Sequence, residues 1–310
     1  GRVRSGHCFR LYTRERCRRL AAHQEPEMRR VPLEQLCLQI KALGLGHPAA
    51  FLAGAMQPPD PRAVAEAVAL LREVQALDAA DELTPLGRHL ANLPLDVRLA
   101  KSLVFACLLR CLDPVLTIVA ALSGRSPFLS PADRRAEADA ARAKFAQSNS
   151  DHLCMLNAWA SWVAAGRSAA FCREHFLSFE SMRTIDDQRR QFARALAELG
   201  FVARGDDRGP QIGGDALNGN ARNAHAVLGC LVAGLYANVV RVLNPPRRYA
   251  ETQSGALPEA FAAKEIRYFT RGASGGRDDR VFMHPSSVNF AAREHEVPWL
   301  VFHEKVQTSK

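Results

Sequence analysis

Apolar residues recur at intervals of three and four through about residue 200, the spacing of one buried helical face. Leu33, Leu36, Cys37, Ile40 and Leu43 make one such stripe, closed by Gly44 and Gly46. Val64, Val68, Leu71 and Val74 make a second, running to Leu77. Val97, Ala100, Val104, Cys107, Leu108 and Cys111 share a third, and Val115, Ile118, Val119 and Leu122 a fourth, ending at Ser123-Gly124. Met182, Ile185, Phe192, Leu196 and Leu199 form a fifth before Gly200. Starts are marked as well: Asp60-Pro61, Thr84-Pro85, Asp113-Pro114 and Ser130-Pro131 each set a capping side chain before a proline suited to a first helical position. The pattern predicts three short helices over 32–92 and an all-helical unit over 96–200.

The text then changes. FVARGDDRGPQIGGDALNGN, at 201–220, is rich in Gly, Asp and Asn and reads as a loop or boundary. Beyond it, NVVRVL (238–243), EIRYFTR (265–271), DRVFMH (279–284) and PWLVFHEKV (298–306) are short β-branched or aromatic runs bounded by Pro and Gly. They predict a small C-terminal β-barrel or sandwich, basic on at least one side. No repeat of solenoid period interrupts this order.

Composition narrows the picture. A chain of 310 residues, 47% hydrophobic and 24% charged, is expected to form two or three globular domains rather than a disordered region. Its longest apolar runs, LVFACLL and VLGCLVAGLYANVV, are shorter than the roughly 20 residues of a membrane span. No apolar run follows the basic start, so a signal peptide is not expected, and the absence of an initial methionine suggests a fragment or processed chain. Eight cysteines without a CxxC pair, mostly within helical stripes, fit buried thiols in a reducing intracellular compartment, nuclear or cytoplasmic.

Charge points to an anionic partner. The net charge is +9, and residues 1–30 hold nine arginines against three glutamates. Motifs for common catalytic classes are absent: there is no P-loop, HExxH, GxSxG or GxGxxG. The ten histidines show no metal-ligand spacing, and Asp186-Asp187, just before Arg189 and Arg190, reads as surface ion pairing. In RYFTR and VFHEKVQTSK basic and aromatic residues mix as on a nucleic-acid surface, although alternating core and solvent faces would give the same text.

Taken together, these segments resemble one family. GRVRSGHCFRLYT resembles the second half of motif VI and the following strand of DEAH-box (DEAH/RHA) RNA helicases. PEMRRVPLEQLCLQIKALGLG, PPDPRAVAEAVALLREVQALD, LTPLGRHLANLPLDVRLAKSLVFACLLRCLDPVLTIVAALSGRSPF, SDHLCMLNAW, FLSFESMRTIDDQRRQF and HPSSVNF with PWLVFHEKVQTSK resemble the family's successive C-terminal blocks, in order. The resemblance implies a multidomain, mainly α architecture with a C-terminal β-barrel. Its parts would be a stub of the second RecA-like domain (1–30), a winged helix (31–92), a helical ratchet domain (93–205), a linker (206–224) and an OB-fold (225–310). LYAN at 235–238 has alanine where the family often has proline, and the chain stops at TSK where the family usually continues, so the OB-fold is expected to lack a final strand or tail.

The resemblance also implies function: an accessory region of an ATP-dependent 3′ to 5′ RNA helicase that forms part of the single-stranded RNA channel. Arg2 would match the last arginine of motif VI, which reaches the γ-phosphate of ATP, with Gly1 beside it; the expected cofactors are ATP and Mg2+ in a longer parent protein. This chain, lacking the P-loop and the DEAH box, is expected to bind neither and not to hydrolyse ATP alone. The expected partners are single-stranded or structured RNA, the RecA-like domains of the same protein and protein activators, with no membrane. Charge and the HPSS block nominate Arg267, Arg271, Arg280, His284, Ser286, Ser287 and Lys305 for RNA, while Ser286 and Ser287 could instead cap a turn. The alternative is a stand-alone, non-enzymatic RNA-binding adaptor.

Overall fold

The computed structural model describes residues 3–21, 23–146, 148–204, 209–246, 249–252, 255–258, 262–272 and 278–306. A short helix, α1 (Arg14–Arg19), starts at the Thr13 cap and buries no side chain. The chain then enters a cluster of α2 (Glu34–Ala42), α3 (Pro48–Ala53), α4 (Pro61–Glu73) and α5 (Pro85–Ala91). Two expected starts are realised here. The Asp60 carboxylate accepts from the Arg62 amide at 2.9 Å, and the Thr84 hydroxyl accepts from the Gly87 amide, also at 2.9 Å. Between α4 and α5, Leu77 and Leu83 form a single antiparallel bridge, and α5 lies so close that a side chain at Gly87 would overlap the Ala76 carbonyl.

The second group comprises α6 (Val97–Leu108), α7 (Leu112–Leu122), α8 (Arg135–Ala143), α9 (Asp151–Ala164), α10 (Ala169–Glu174), α11 (Phe179–Glu198), α12 (Asp215–Asn218) and α13 (Ala224–Leu235). Leu112, Val115, Leu116, Ile118, Val119 and Ala120 are fully buried, so α7 is the central helix, with α6, α9, α11 and α13 around it. An apolar helix without a polar face must be covered on all sides. The apolar run at 227–240 therefore divides: α13 packs along α6, and the chain then turns into the sheet.

Two expected starts shift. At Asp113-Pro114 the helix begins two residues earlier, at Leu112, and Asp113 turns its carboxylate to Arg189 of α11 instead of capping (2.6 Å). At Ser130-Pro131 the first turn closes as a β-turn from Arg134 to Pro131, and α8 begins only at Arg135. The preceding residues are held extended by the Phe128–Leu177 bridge. Of the pair expected at the surface, Asp186 binds Arg167 and Arg190, but Arg189 is buried, donating to Asp113 and Thr117 and lying over the Trp159 ring.

The C-terminal part contains β1 (Val239–Leu243), β2 (Tyr249–Thr252), β3 (Gly255–Pro258), β4 (Arg267–Thr270), β5 (Asp279–Val281) and β6 (Trp299–Val301). Among the described residues β2 and β3 form a separate antiparallel hairpin, and the rest form an open antiparallel sheet in the order β5-β4-β1-β6. This corrects the expected closed barrel. Closure requires every edge to pair, and here β5 and β6 are three residues each. His284-Pro285 turns the chain after β5, and β6 adds only one rung beyond Val301, from the Phe302 amide to the opposed Asn238 carbonyl.

Candidate nucleic-acid interface

Strand alternation gives the sheet two unlike faces. Val240, Val242, Ile266 and Tyr268 point inward and pack with Val281, Met283, Leu300 and Phe302. Beneath them, the Tyr268 hydroxyl meets His295 Nε2 at 2.9 Å, and Asn244 holds the His295 backbone through two hydrogen bonds of 3.1 and 2.7 Å. Burial pushes the Tyr268 hydroxyl up and the His295 imidazole down from their ordinary values.

The opposite parity places Arg241, Phe269, Arg280 and Trp299 on the outer face. They are aligned by register: Arg280 opposes Phe269, Phe269 opposes Arg241, and Arg241 opposes Trp299. One row thus crosses all four strands, alternating guanidinium and ring. Arg241 lies 5.8 Å from the Phe269 centroid and reaches Asp278 at 3.0 Å; Arg280 lies 5.2 Å from the ring of Phe282.

The nominated residues are spread around this sheet rather than gathered at one point. Arg267 and Arg280 are on the outer face and, among the described residues, have no carboxylate partner. Arg271 is largely exposed, 3.9 Å from Glu73 of α4, and Lys305 is 2.8 Å from Asp279. His284 and Ser286 form a local turn: the Ser286 amide donates to His284 Nδ1 at 3.1 Å, and its hydroxyl lies 2.7 Å from the same nitrogen. Ser287 points the other way, donating to Asp151 at 2.5 Å.

That last bond belongs to a joint. Asp151, in the first turn of α9, also accepts from the Val288 amide at 3.0 Å and from Arg142 at 2.9 Å, while Asn289 donates to the Asn149 carbonyl at 3.0 Å. A carboxylate is favourably placed at a helix N-terminus, where unpaired amides concentrate positive potential. The segment after β5 is thereby fastened to the helical unit.

A second joint surrounds a cleft of about 450 Å³ lined by Asp96, Arg98, Leu122, Gln188, Gln191 and His303 among others. Asp96 caps α6 and holds Arg98 at 2.9 Å; Asn238, in reach of Arg98, donates to the His303 carbonyl at 2.9 Å. Burial pushes the Asp96 carboxyl up, but the Arg98 guanidinium and two backbone amides outweigh it and hold it below the usual carboxylate range. Burial lowers His303, and burial together with the nearby His303 pushes His152 down to about 4.

Gly1 and Arg2 lie outside the described residues. All eight cysteines are free thiols, with Cys111 and Cys230 facing each other at 3.3 Å between sulfurs. No helix among the described residues is long and apolar enough to cross a membrane. Reading the sequence alone did not single out Arg241, Phe269 and Trp299. Odd-even parity would have put each on one face of its strand, but the pairing of four strands into one row is not written in any of them.

Known proteins share this organisation. Residues 67–95 match the helicase associated domain (HA2), winged-helix; residues 96–155 match the helicase associated domain (HA2), ratchet-like; and residues 227–310 match the oligonucleotide/oligosaccharide-binding (OB)-fold. The last match begins inside α13, which nonetheless packs on the helical core. Over all of its length the chain is 39% identical to DExH-box ATP-dependent RNA helicase DExH1 of Arabidopsis thaliana, 38% to ATP-dependent DNA/RNA helicase DHX36 of Homo sapiens and 37% to putative ATP-dependent RNA helicase DHX57 of Homo sapiens. It spans 28%, 29% and 24% of the lengths of these relatives, respectively. With winged-helix, ratchet-like and OB-fold regions in that order, the chain belongs to the DExH-box RNA helicases, whose C-terminal helicase-associated region it represents.

Proposed function

We propose that the chain is the C-terminal accessory region of an ATP-dependent 3′ to 5′ RNA helicase and forms part of its single-stranded RNA channel. The observation that carries this reading is the alignment of the whole chain with three proteins named as ATP-dependent helicases. In this reading residues 1–30 end a RecA-like domain, 31–92 are the winged helix, 93–205 the ratchet, 206–224 a linker and 225–310 the OB-fold. Arg267, Arg271, Arg280, His284, Ser286, Ser287 and Lys305 contribute to the RNA-facing side, the cations toward phosphates; Ser287 does so while anchored to Asp151.

ATP with Mg2+, held between the RecA-like domains of the same protein, supplies the phosphoryl-transfer chemistry. The part assigned to this chain is Arg2, beside Gly1, whose permanently charged guanidinium stabilises charge on the transferred group.

The test is RNA-stimulated ATP hydrolysis by the protein translated from the same reading frame with its upstream region. Arg2→Lys is expected to lower kcat by roughly 1,000-fold, the scale of an arginine finger, with RNA affinity unchanged. Full activity in that variant would remove Arg2 from the site. A frame without an upstream P-loop would leave the RNA-binding adaptor in place of the helicase.

A further inference from the structure

We propose that the outer row of the sheet, Arg280, Phe269, Arg241 and Trp299, is a stacking platform for single-stranded RNA. Bases would lie on Phe269 and Trp299, and the two arginines would hold the backbone between them. The inference rests on the RNA-binding reading above and adds where the bases sit.

Three observations carry it. The first is register. The four residues are direct cross-strand neighbours, so three inter-strand steps of about 4.8 Å give a row about 14 Å long. Phe269 and Trp299 stand two steps, about 10 Å, apart with Arg241 between them, so each ring can take a separate, unstacked base. The second is exposure on the wrong side for a core. The inner face is already filled, yet Trp299 is 56% exposed and Phe282, flanking the row, 78%. Of the three tryptophans, Trp159 and Trp162 are buried in the helical unit, so the exposed indole is found only here.

The third observation is charge. Arg241, Arg267, Arg271 and Arg280 follow the same parity, and carboxylates reach the group from Asp278, at Arg241, and from Glu73, 3.9 Å from Arg271. A surface of rings interleaved with guanidinium groups is complementary to a polyanion whose bases have apolar faces. It is a poor match for an acidic peptide, which offers no planar groups to the rings. Val301, two residues beyond Trp299, packs against the helical core, so the row starts at the joint with the helical unit and runs outward.

The experiment uses the 310-residue chain and two labelled strands of equal charge, a 12-residue oligouridylate and a 12-unit abasic ribose phosphate, read by fluorescence anisotropy. Trp299→Ala and Phe269→Ala are each expected to weaken oligouridylate binding by roughly tenfold, the loss of one stacked base, while leaving abasic binding unchanged. Trp299→Phe should restore most of the affinity. Arg280→Ala should weaken both strands and lower the salt slope by about one. Oligouridylate should also quench the tryptophan emission of the wild type, and this quenching should be lost in Trp299→Ala. If the wild type binds oligouridylate but the aromatic variants bind it equally well, the platform is wrong and the RNA-binding reading stands. If the wild type shows no salt-sensitive binding to either strand, both fall together.

Discussion

The helical unit and the C-terminal sheet are held together by different means. The helical unit has a continuous core from Leu33 to Leu235 that includes α7 and both buried tryptophans, whereas the described sheet has four buried apolar residues, Val240, Val242, Ile266 and Tyr268. A four-residue core is too small to hold a sheet by itself, since apolar burial scales with area removed from water. The sheet is therefore fastened from outside, by α13 running into β1, by Asp151 gripping Ser287 and Val288, by Asn238 in reach of Arg98 and by Val301 against the helical core. A sheet anchored at its ends and at β6, where Val301 of the outer face meets the helical core, can leave the outer face from Trp299 outward for a ligand.

The strongest way to break this contrast is at Gly234 of α13, where any side chain would overlap Ser102 and the Arg98 carbonyl of α6. Gly234→Leu should cost about 3 kcal/mol or more, as overpacking against backbone does. Both regions should be lost in one lowered thermal transition; if the sheet alone were lost, α13 would not be the shared spine. A milder variant separates them. Asp151→Ala leaves the half-buried Arg142 guanidinium, a hydroxyl and an amide short of an acceptor, at about 2 kcal/mol. Hydrogen exchange should rise at 286–289 while α7 stays protected.

Acid should act in the same direction by a smaller margin. His152 and His303, at the joints, and His295, under the sheet, are all held below the ordinary imidazole value by burial, and they take up protons more readily once unfolded. Their contribution is complete above pH 6.5 and is lost as pH falls toward the folded value of about 4 given for His152. Urea midpoints followed by Trp299 emission, with Trp159 and Trp162 replaced by Phe, should fall across that window. A flat profile would show that the joints do not depend on neutral histidines.

Legibility in the sequence follows the range of the interactions. Capping is settled within three residues, so Asp60 and Thr84 were readable as helix starts. Ser130 failed because a distant partner, Leu177, holds the approach to that turn extended. The hairpin of β2 and β3 was missed altogether: YAET and GALP lack a run of β-branched residues, and a strand pair of this kind exists only through its partner. The nominated cations came from charge, which marks a region; position within the region came from pairing.

The helical stripes up to residue 200, strands β1, β4, β5 and β6 and the family resemblance were determined by the sequence, because periodicity, caps and block order are properties of neighbouring residues, whereas α12 and α13 were not read from it. Tertiary structure decided that Arg189 turns inward, that Ser287 belongs to a joint, that the sheet is open among its described residues, and that Arg280, Phe269, Arg241 and Trp299 stand in one row. These depend on which residues, up to about 140 positions apart, come into register, and that choice is made only when distant surfaces are buried together.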